Sequence, residues 1–262
     1  MTPIDAAATS EELLEVFELR HGSAQELGWG PAMRKRFGYF NPDEHYEALV
    51  SRLVGEATSW CDVGCGRYVF PSNVRLARVL ADRCALLVGV DPDETIAENA
   101  FVHEKVCGHI DDYEPEKPFD LVTMRMVAEH VEHPEHTVAA LSRLVAPGGL
   151  CVVYTVNRWS PIPLATACIP FALHQPIKRW LWRTESKDTF PTRFRMNTRS
   201  RLRSQFKAGG FVEAGFQRLD DCRTFSRFRG LQYLELSFRK VLRGIGLGYP
   251  ENCLLGVYQR EA

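Results

Sequence analysis

Short apolar runs alternate with helical segments through the middle of the chain. The runs that predict strands cover residues 60–63, 86–90, 105–110, 119–124, 150–156 and 252–260. The segments between them predict helices over 73–83, 93–99 and 135–145. Strands separated by helices in this way indicate an α/β protein with a parallel, right-handed, doubly wound sheet.

Helix start signals precede the first strand. Thr9 and Glu12 form a capping box ahead of a helix over residues 10–20, since each side chain can accept from an amide of the first turn. Pro42 opens a second helix that runs to about residue 54. The glycine- and aromatic-rich segment 28–40 between the two helices is predicted to be a loop.

The composition is that of an ordinary globular protein. With 262 residues, 45% of them hydrophobic and 25% charged, the chain is long enough for one α/β domain with a buried core. No apolar stretch approaches the roughly 20 residues of a bilayer-spanning helix, and the N-terminus lacks the features of an export signal. The eight cysteines are scattered without a CxxC pair, so we expect reduced thiols and a cytoplasmic protein.

The net charge of −1 conceals an uneven distribution. Residues 1–157 carry 13 Lys and Arg against 25 Asp and Glu, whereas residues 158–243 carry 18 against 6. A basic half of this kind can bind an anionic substrate, a nucleic acid or a membrane surface. It can equally pair with the acidic half of the same chain, and we favour this interpretation because the basic residues form no contiguous run.

A glycine-rich turn follows the first predicted strand, in the sequence SWCDVGCGRY (residues 59–68). Gly64 and Gly66 permit a sharp bend and a close approach of a ligand, because neither carries a Cβ. Asp62 leads into this turn, and Asp91 closes the second predicted strand. An acid at that position can accept hydrogen bonds from two vicinal ribose hydroxyls. The pattern therefore predicts a nucleoside-containing cofactor.

Two further motifs extend this pattern, FDLVTMRMVAEHV at residues 119–131 and LSRLVAPGGLCVVYTVN at residues 141–157. With the glycine turn they resemble the class I S-adenosylmethionine-dependent methyltransferases. The resemblance is to the broad bacterial small-molecule group, methyltransferase type 11-like, that includes the quinone-biosynthesis methylases. It covers residues 58–157 and continues at 197–211, which match the last helix of the family and the glycine stop before strand six.

The resemblance implies a Rossmann-like seven-stranded methyltransferase sheet with S-adenosylmethionine as the cofactor. An NAD-dependent dehydrogenase is the natural competitor, since it shares the turn and the acid. The acid-led turn DVGCG, the EHV segment after the fourth strand and the APGG turn before the fifth strand favour the methyltransferase.

The resemblance also assigns a part of the cofactor to each motif. Asp62, Gly64 and Gly66 match the motif that surrounds the methionine portion, where the acid helps to orient the amino group, partly through water. Asp91 matches the ribose-binding acid, with Pro92 beside it at the adenosine edge.

The stretches after the third and fourth strands complete the implied cofactor site. His109 and Ile110 match the stretch that approaches adenine, and a neutral histidine can accept from the adenine amino group where many relatives carry an acid. Arg125 and Met126 match residues that line the methionine end. Tyr68 departs from the family, because a third glycine usually stands there. Either the helix begins later, or Tyr68 reshapes the methionine pocket.

Three histidines follow the fourth predicted strand at spacings of three, His130, His133 and His136. Imidazoles are common metal ligands, but Pro134 interrupts any helix that would align these three rings, so no metal is predicted. His130 is the candidate catalytic base, because it lies nearest the strand end and an imidazole can remove a proton from a hydroxyl near neutral pH. The alternative is that His130 only packs within its loop.

Two segments outside the shared core are the expected sites of acceptor specificity. They are residues 20–46 and the insertion 158–197, which occupies the usual position of a substrate lid in this fold. Their aromatic residues and arginines suit a mid-sized organic acceptor, although such aromatics can equally form the core of the insertion. We interpret residues 1–57 as an N-terminal helical extension and residues 58–262 as the methyltransferase domain.

The sequence predicts the cofactor better than the acceptor, because an activated methyl donor asks little of the side chains. The leading prediction is methyl transfer to an oxygen or nitrogen of a small-molecule acceptor. A macromolecule (RNA or protein) methyltransferase stays open on the basic half alone, and nucleic acid is disfavoured because no NPPY-type motif or RNA-binding module is present. A protein that uses S-adenosylmethionine for non-methylation chemistry also stays open.

Residues 225–248 predict a further, amphipathic helix. Such a helix can pack on the sheet edge, form a contact in a homodimer or touch a membrane surface peripherally. We therefore expect a monomer or a homodimer, with peripheral membrane contact as an open alternative.

Overall fold

A computed structural model describes residues 4–23, 25–160 and 191–261. Its strands are β1 (Ser59–Val63), β2 (Leu86–Asp91), β3 (Glu104–Cys107), β4 (Phe119–Arg125), β5 (Val145–Val156), β6 (Phe211–Asp220) and β7 (Glu251–Arg260). They form a seven-stranded sheet of order β3-β2-β1-β4-β5-β7-β6. The order reverses between β1 and β4, so the carboxyl ends of these strands meet at a topological switch point, where ligands bind in open α/β sheets.

Helices cover both faces of this sheet. They are α1 (Ser10–His21), α2 (Trp29–Arg36), α3 (Pro42–Leu53), α4 (Val74–Arg83), a 3₁₀ turn (Glu94–Glu98), α5 (Pro134–Leu144), α6 (Arg199–Ala208) and α7 (Arg229–Gly244). One buried cluster joins the sheet to α1, α3 and α4, and a second joins its opposite face to α5 and α6. The result is a three-layer α/β/α arrangement that confirms the predicted fold class.

The two faces of the sheet separate the side chains of β4, because successive residues of a strand point to opposite sides. Leu121 belongs to the cluster under α3, whereas Val122 and Met124 belong to the cluster under α5. Thr123 and Arg125 lie two and four residues after Leu121, so their side chains point to the same side of the sheet as Leu121, toward α3. This division decides which predicted site residues share a cavity.

The N-termini of α1 and α3, which the sequence predicts, both carry capping hydrogen bonds. The Thr9 amide donates to Glu12 Oε2 at 2.7 Å, and the Glu12 amide donates to Thr9 Oγ1 at 3.2 Å. At the start of α3 the Asn41 amide donates to Glu44 Oε2 at 2.7 Å. Each cap satisfies amides that a first helical turn leaves without a partner.

The predicted loop over 28–40 is wrong, because α2 lies within it. Pro31 falls in the first turn of α2, where the missing amide costs nothing. Arg34, in the last turn, donates to both carboxylate oxygens of Glu44 at 2.9 and 2.8 Å. A buried ion pair with α3 thus holds a helix that local composition disfavours.

Two strand boundaries and one strand direction also differ from the expected ones. The third strand ends at Cys107 and not at residue 110, so His109 and Ile110 lie in the following loop. The sheet is mixed rather than wholly parallel, because β7 runs antiparallel to both β5 and β6. The fifth strand begins at Val145, earlier than predicted, and its pairing with β4 shifts register beside the glycine turn.

The N-terminal helices share the core of the sheet. The Tyr46 ring of α3 stacks on Tyr154 of β5, with centroids 5.2 Å apart. Asp43 of α3 accepts from Arg125 of β4 at 2.7 Å. The division into a 1–57 extension and a following domain stays a prediction, but these contacts make α3 part of the same packed body.

Candidate active site

The turn after β1 forms a backbone cradle. Gly64 and Gly66 adopt φ angles of +72° and +45°, a region that favours glycine. A Cβ at Gly64 would overlap the side chain of Val127. The Gly64 amide donates to the Val90 carbonyl at 2.8 Å, so the turn is tied to the end of β2. Gly64 is therefore favoured by both the space and the backbone conformation of the cradle, and Gly66 by its backbone conformation.

Asp91 holds this cradle from the neighbouring strand. It is the last residue of β2 and is 7% exposed. Its Oδ2 accepts from the Gly66 amide at 2.7 Å, and its Oδ1 accepts from the Asp93 amide at 2.8 Å. A carboxylate oxygen has two lone pairs. Each oxygen of Asp91 can thus accept a second hydrogen bond, as a pair of ribose hydroxyls would require.

One cavity of about 590 Å³ lies across the carboxyl ends of β1, β2 and β4. This volume is within the range of small-molecule and cofactor sites. The predicted residues that line it are Gly64, Gly66, Asp91, Pro92, His109, Ile110, Met126 and His130. The structure therefore brings together the predicted ribose, adenine and catalytic positions.

Asp62 and Arg125 do not line this cavity, because both side chains point to the opposite face of the sheet. Asp62 is 1% exposed. Its Oδ1 accepts from Thr123 Oγ1 at 2.6 Å, and that hydroxyl accepts from Trp60 Nε1 at 2.7 Å. Burial raises the pKa of Asp62 to about 7. A nearby cation, such as the amino group of a bound ligand, would stabilise the charged form of an acid that is buried in this way.

Arg125 lies in a buried ion-pair network with Asp43 and Arg223. Burial alone would raise the pKa of Asp43, yet the two arginine charges hold it below its ordinary value. The Nε of Arg125 is buried and makes no hydrogen bond within the described part of the chain. This unsatisfied donor lies outside the cavity, so the bare backbone of the cradle and the remaining lone pairs of Asp91 are the features that fit a polar cofactor.

His130 lines the cavity at the end of the turn that follows β4. Its amide donates to the Val127 carbonyl at 2.9 Å. Its Nδ1 lies 3.3 Å from the Pro191 carbonyl oxygen. The ring is therefore held between the strand end and the returning chain at residues 191–193.

Glu129 is a candidate that the sequence did not single out. It is 5% exposed, and burial raises its pKa above the ordinary value. Its carboxylate accepts from Thr155 Oγ1 at 2.8 Å, and its carbonyl accepts from the amides of Arg193 and Phe194 at 2.6 and 3.1 Å. The sequence could have pointed to Glu129, because this acid directly precedes the candidate base His130 in the EHV segment.

The described end of the predicted lid crosses the cavity. Pro191 and Arg193 line it, and Arg193 pairs with Glu132 at 3.4 Å. The rest of the predicted lid, over residues 161–190, lies outside the described residues. Arg193 thus brings a cation to the rim of the cavity.

Tyr68 leaves the turn intact. Its ring lies 6.2 Å from the Phe101 ring, and the residue is 39% exposed. Its amide donates to the Cys65 carbonyl at 2.9 Å. Of the two outcomes expected for a tyrosine in place of the third glycine, the described geometry favours a helix that begins later, since α4 starts at Val74.

The histidines after β4 do not converge on one point. The rings of His133 and His136 stack with centroids 5.3 Å apart, and His133 pairs with Glu135 on the surface. Across residues 4–23, 25–160 and 191–261, no group of three or more His, Cys, Asp or Glu side chains could hold a metal ion.

The sheet order, the glycine cradle and the buried acid at the switch point define a Rossmann-like protein built to hold a nucleoside cofactor. A methyltransferase-domain family matches residues 34–212. The chain belongs to this family, which confirms a class I S-adenosylmethionine-dependent methyltransferase, an enzyme class, and its cofactor. No helix in the described ranges is long and apolar enough to cross a membrane.

Individual relatives agree with this assignment. Ubiquinone biosynthesis O-methyltransferase of Rhizobium johnstonii is 32% identical over 129 residues, which cover 46% of this chain and 48% of the relative. The protein of the same name from Saccharophagus degradans is 33% identical over 136 residues, which cover 46% and 55%. This chain thus spans about half the length of these relatives.

Solved structures agree on the fold. N-methyltransferase NodS from Bradyrhizobium japonicum, in complex with S-adenosyl-L-homocysteine, superposes with a TM-score of 0.50 at 14% identity. The superposition covers 89% of this chain and 99% of NodS. Identity this low supports the shared fold alone.

Proposed function

We propose that this protein transfers the methyl group of S-adenosylmethionine to an oxygen of a small organic acceptor, with a nitrogen acceptor as the alternative. The observation that carries the proposal is the single cavity in which the glycine cradle, Asp91 and His130 meet. The name O-methyltransferase, borne by the curated relatives, favours oxygen.

The cofactor would be held mainly by the backbone and by Asp91. The remaining lone pairs of the Asp91 carboxylate accept from ribose hydroxyls, while Gly64 and Gly66 leave room for the chain of the ligand. Ile110 supplies an apolar surface beside the adenine position, and His109 supplies a polar group there. When bound, S-adenosylmethionine supplies an activated methyl group on a positively charged sulfur.

His130 would act as the general base for a hydroxyl acceptor. Its ring lines the cavity, and Glu129, the residue before it, is a buried acid. The carbonyl of Glu129 also fixes the chain at Arg193 and Phe194. His130, Glu129 and the chain at Arg193 and Phe194 are thus held as one unit. This unit would keep the acceptor in line with the methyl group and exclude water from the site.

The test is to incubate the purified protein with S-adenosylmethionine and separate sets of phenols, alcohols and amines. Mass spectrometry reads S-adenosyl-L-homocysteine and a singly methylated product. We expect product from a hydroxylated acceptor. A product from amines alone would replace oxygen by nitrogen as the attacked atom.

The same assay separates the other function classes that the sequence leaves open. Transfer RNA and whole-protein extracts serve as macromolecular acceptors at physiological salt. Methylation of these alone would refute the small-molecule proposal. Tight binding of S-adenosylmethionine without formation of S-adenosyl-L-homocysteine under any condition would instead support non-methylation chemistry.

A further inference from the structure

Helix α7 turns apolar side chains to solvent and polar side chains to the protein. Gln232, Glu235 and Arg239 are only 3%, 6% and 6% exposed, whereas Leu234 and Phe238 are 62% and 57% exposed. A surface helix of a globular protein ordinarily shows the reverse arrangement. Its outward face therefore needs an explanation other than packing on its own sheet.

The buried polar side of α7 is engaged in contacts that fix the orientation of the helix. Arg239 Nε donates to Asp220 Oδ2 at 2.5 Å, and the Arg239 guanidinium lies 4.7 Å from the centroid of the Tyr39 ring. Tyr249 Oη donates to Glu235 Oε1 at 2.9 Å. Rolling the helix to bury its apolar face would break these buried contacts, and leaving such groups unpaired is costly.

The outward side chains form one continuous line, which we call the apolar stripe. Its members are 42% to 66% exposed and recur at intervals of three, four, three and four residues: Leu231, Leu234, Phe238, Val241 and Ile245. This strict alternation of three and four is the spacing of the narrow seam along which two helices pack against each other. At about 1.5 Å per residue the stripe is roughly 21 Å long. Its spacing therefore indicates a second helix as the occupant.

The basic residues of α7 lie away from the stripe. Each contacts the body of its own protein: Arg229 lies over the Trp29 ring at 5.8 Å, Lys240 over the Phe37 ring at 5.9 Å, and Arg243 beside Asp220 at 3.9 Å. The stripe thus presents an uncharged surface. Two such surfaces can meet without bringing like charges together.

Small or engaged residues flank the stripe on both sides. The flanking positions of the heptad hold Gly230, Ser237 and Gly244 on one side and Glu235 and Leu242 on the other. Charged residues at such positions ordinarily select a different partner helix, but Glu235, the one charged member, is buried and already bound by Tyr249. A Cβ at Gly230 or Gly244 would meet open space, so a second helix can approach closely there. An identical helix satisfies these flanks.

The distribution of exposed apolar residues also favours a second copy meeting the same stripe. Seven of the eleven large hydrophobic side chains that are exposed in the described residues lie between residues 231 and 247. The other four are scattered over the surface: Tyr68, Val74, Val79 and Trp159. No other apolar surface in the described ranges could therefore receive the stripe. Two copies would meet through identical stripes around a two-fold axis.

We propose that this protein forms a homodimer in which the apolar stripes of two copies pack against each other. A standard interface involves about 20–30 residues on each side. The stripe has far fewer, so the dimer exchanges reversibly with the monomer. None of its residues lines the cofactor cavity, and the contact is independent of the proposed methyl transfer.

The test is sedimentation velocity on the full chain at about 1 to 300 µM. We expect monomer at the lowest and dimer at the highest concentrations. Two variants place opposite charges in the stripe, Leu234→Glu/Phe238→Glu and Leu234→Lys/Phe238→Lys. Each alone is expected to dimerise at least about tenfold more weakly than the unaltered protein, because like charges would face each other. An equimolar mixture of the two should dimerise, since an acidic stripe then meets a basic one.

The matched control is Val74→Glu/Val79→Glu on α4, which also replaces two exposed apolar residues, 43% and 39% exposed. It should dimerise as the unaltered protein does, and thermal unfolding should show that all three double variants fold. An unaltered protein that stays monomeric over the whole range would overturn the proposal, as would a dimer that either stripe variant retains unweakened. A mixture as monomeric as its two components would also overturn it, because the stripe would then contact a different surface.

Discussion

Asp91 should control both the affinity for the cofactor and the shape of the glycine cradle. In Asp91→Ala the amides of Gly66 and Asp93 lose the carboxylate that accepts from them at 2.7 and 2.8 Å. Hydrogen bonds to charged groups are worth about 1.5–3 kcal/mol each. Loss of even one bond to ribose should therefore weaken the binding of S-adenosyl-L-homocysteine by about 1.5–3 kcal/mol, or about 10- to 150-fold, and Asp91→Ala removes the acceptor of both.

Asp91→Asn separates the loss of one accepting oxygen from the loss of both. The amide keeps one accepting oxygen, so either Gly66 or Asp93 retains its partner, and the loss of affinity should fall between those of alanine and the unaltered protein. Calorimetry with S-adenosyl-L-homocysteine measures the affinity, and thermal unfolding without ligand separates damage to the cradle from loss of contact. Asp82→Ala, an exposed acid on α4, is the matched control. A folded Asp91→Ala protein with unaltered affinity would refute this role for Asp91.

Three further changes test other parts of the site. His130→Ala should lower turnover by about 100-fold and leave the affinity for S-adenosyl-L-homocysteine unchanged in calorimetry, since only the proton acceptor is lost. Gly64→Ala should weaken cofactor binding at least about tenfold because of its φ of +72°, whereas Gly108→Ala, with open space around it, should not. Burial raises the pKa of Glu47 from 4.5 to about 7. The folded state then holds a proton that the unfolded state has lost, so stability falls as pH rises from about 4.5 to 7. Glu47→Gln should remove up to about 3 kcal/mol of this fall, measured as the difference between the two proteins in urea unfolding at pH 5 and pH 7.5.

The turn and the acid could be predicted because local sequence determines them. Gly64 and Gly66 must adopt a backbone that other residues avoid, and a parallel strand ends where its apolar run ends. The sequence alone therefore places Asp91 at the carboxyl end of β2. The capping residues of α1 and α3 were predictable for the same reason, since each cap bonds within one helical turn.

Contacts between distant segments explain what the sequence could not predict. Helix α2 depends on Arg34 reaching the buried Glu44, and no local signal records that pair. The environment of Glu129 depends on Thr155 and on the chain returning at Arg193. Periodicity predicted α7 as amphipathic, but the side that faces the protein was set by the partners of Arg239 and Glu235, and these come from β6 and from the segment before β7.

The placement of Arg125 is the most informative disagreement with expectation. The family resemblance puts Arg125 and Met126 together at the methionine end, but the Arg125 side chain pairs with Asp43 of α3, whereas Met126, just after the end of β4 and at a φ of +53°, lines the cavity. Arg125 is nevertheless close enough to Asp62 to influence its ionisation. The ion pair of Arg125 with Asp43 therefore links α3 to the buried acid beside the glycine cradle. A change in α3 that moves the Arg125 guanidinium is therefore expected to alter the ionisation of Asp62 without touching the cavity.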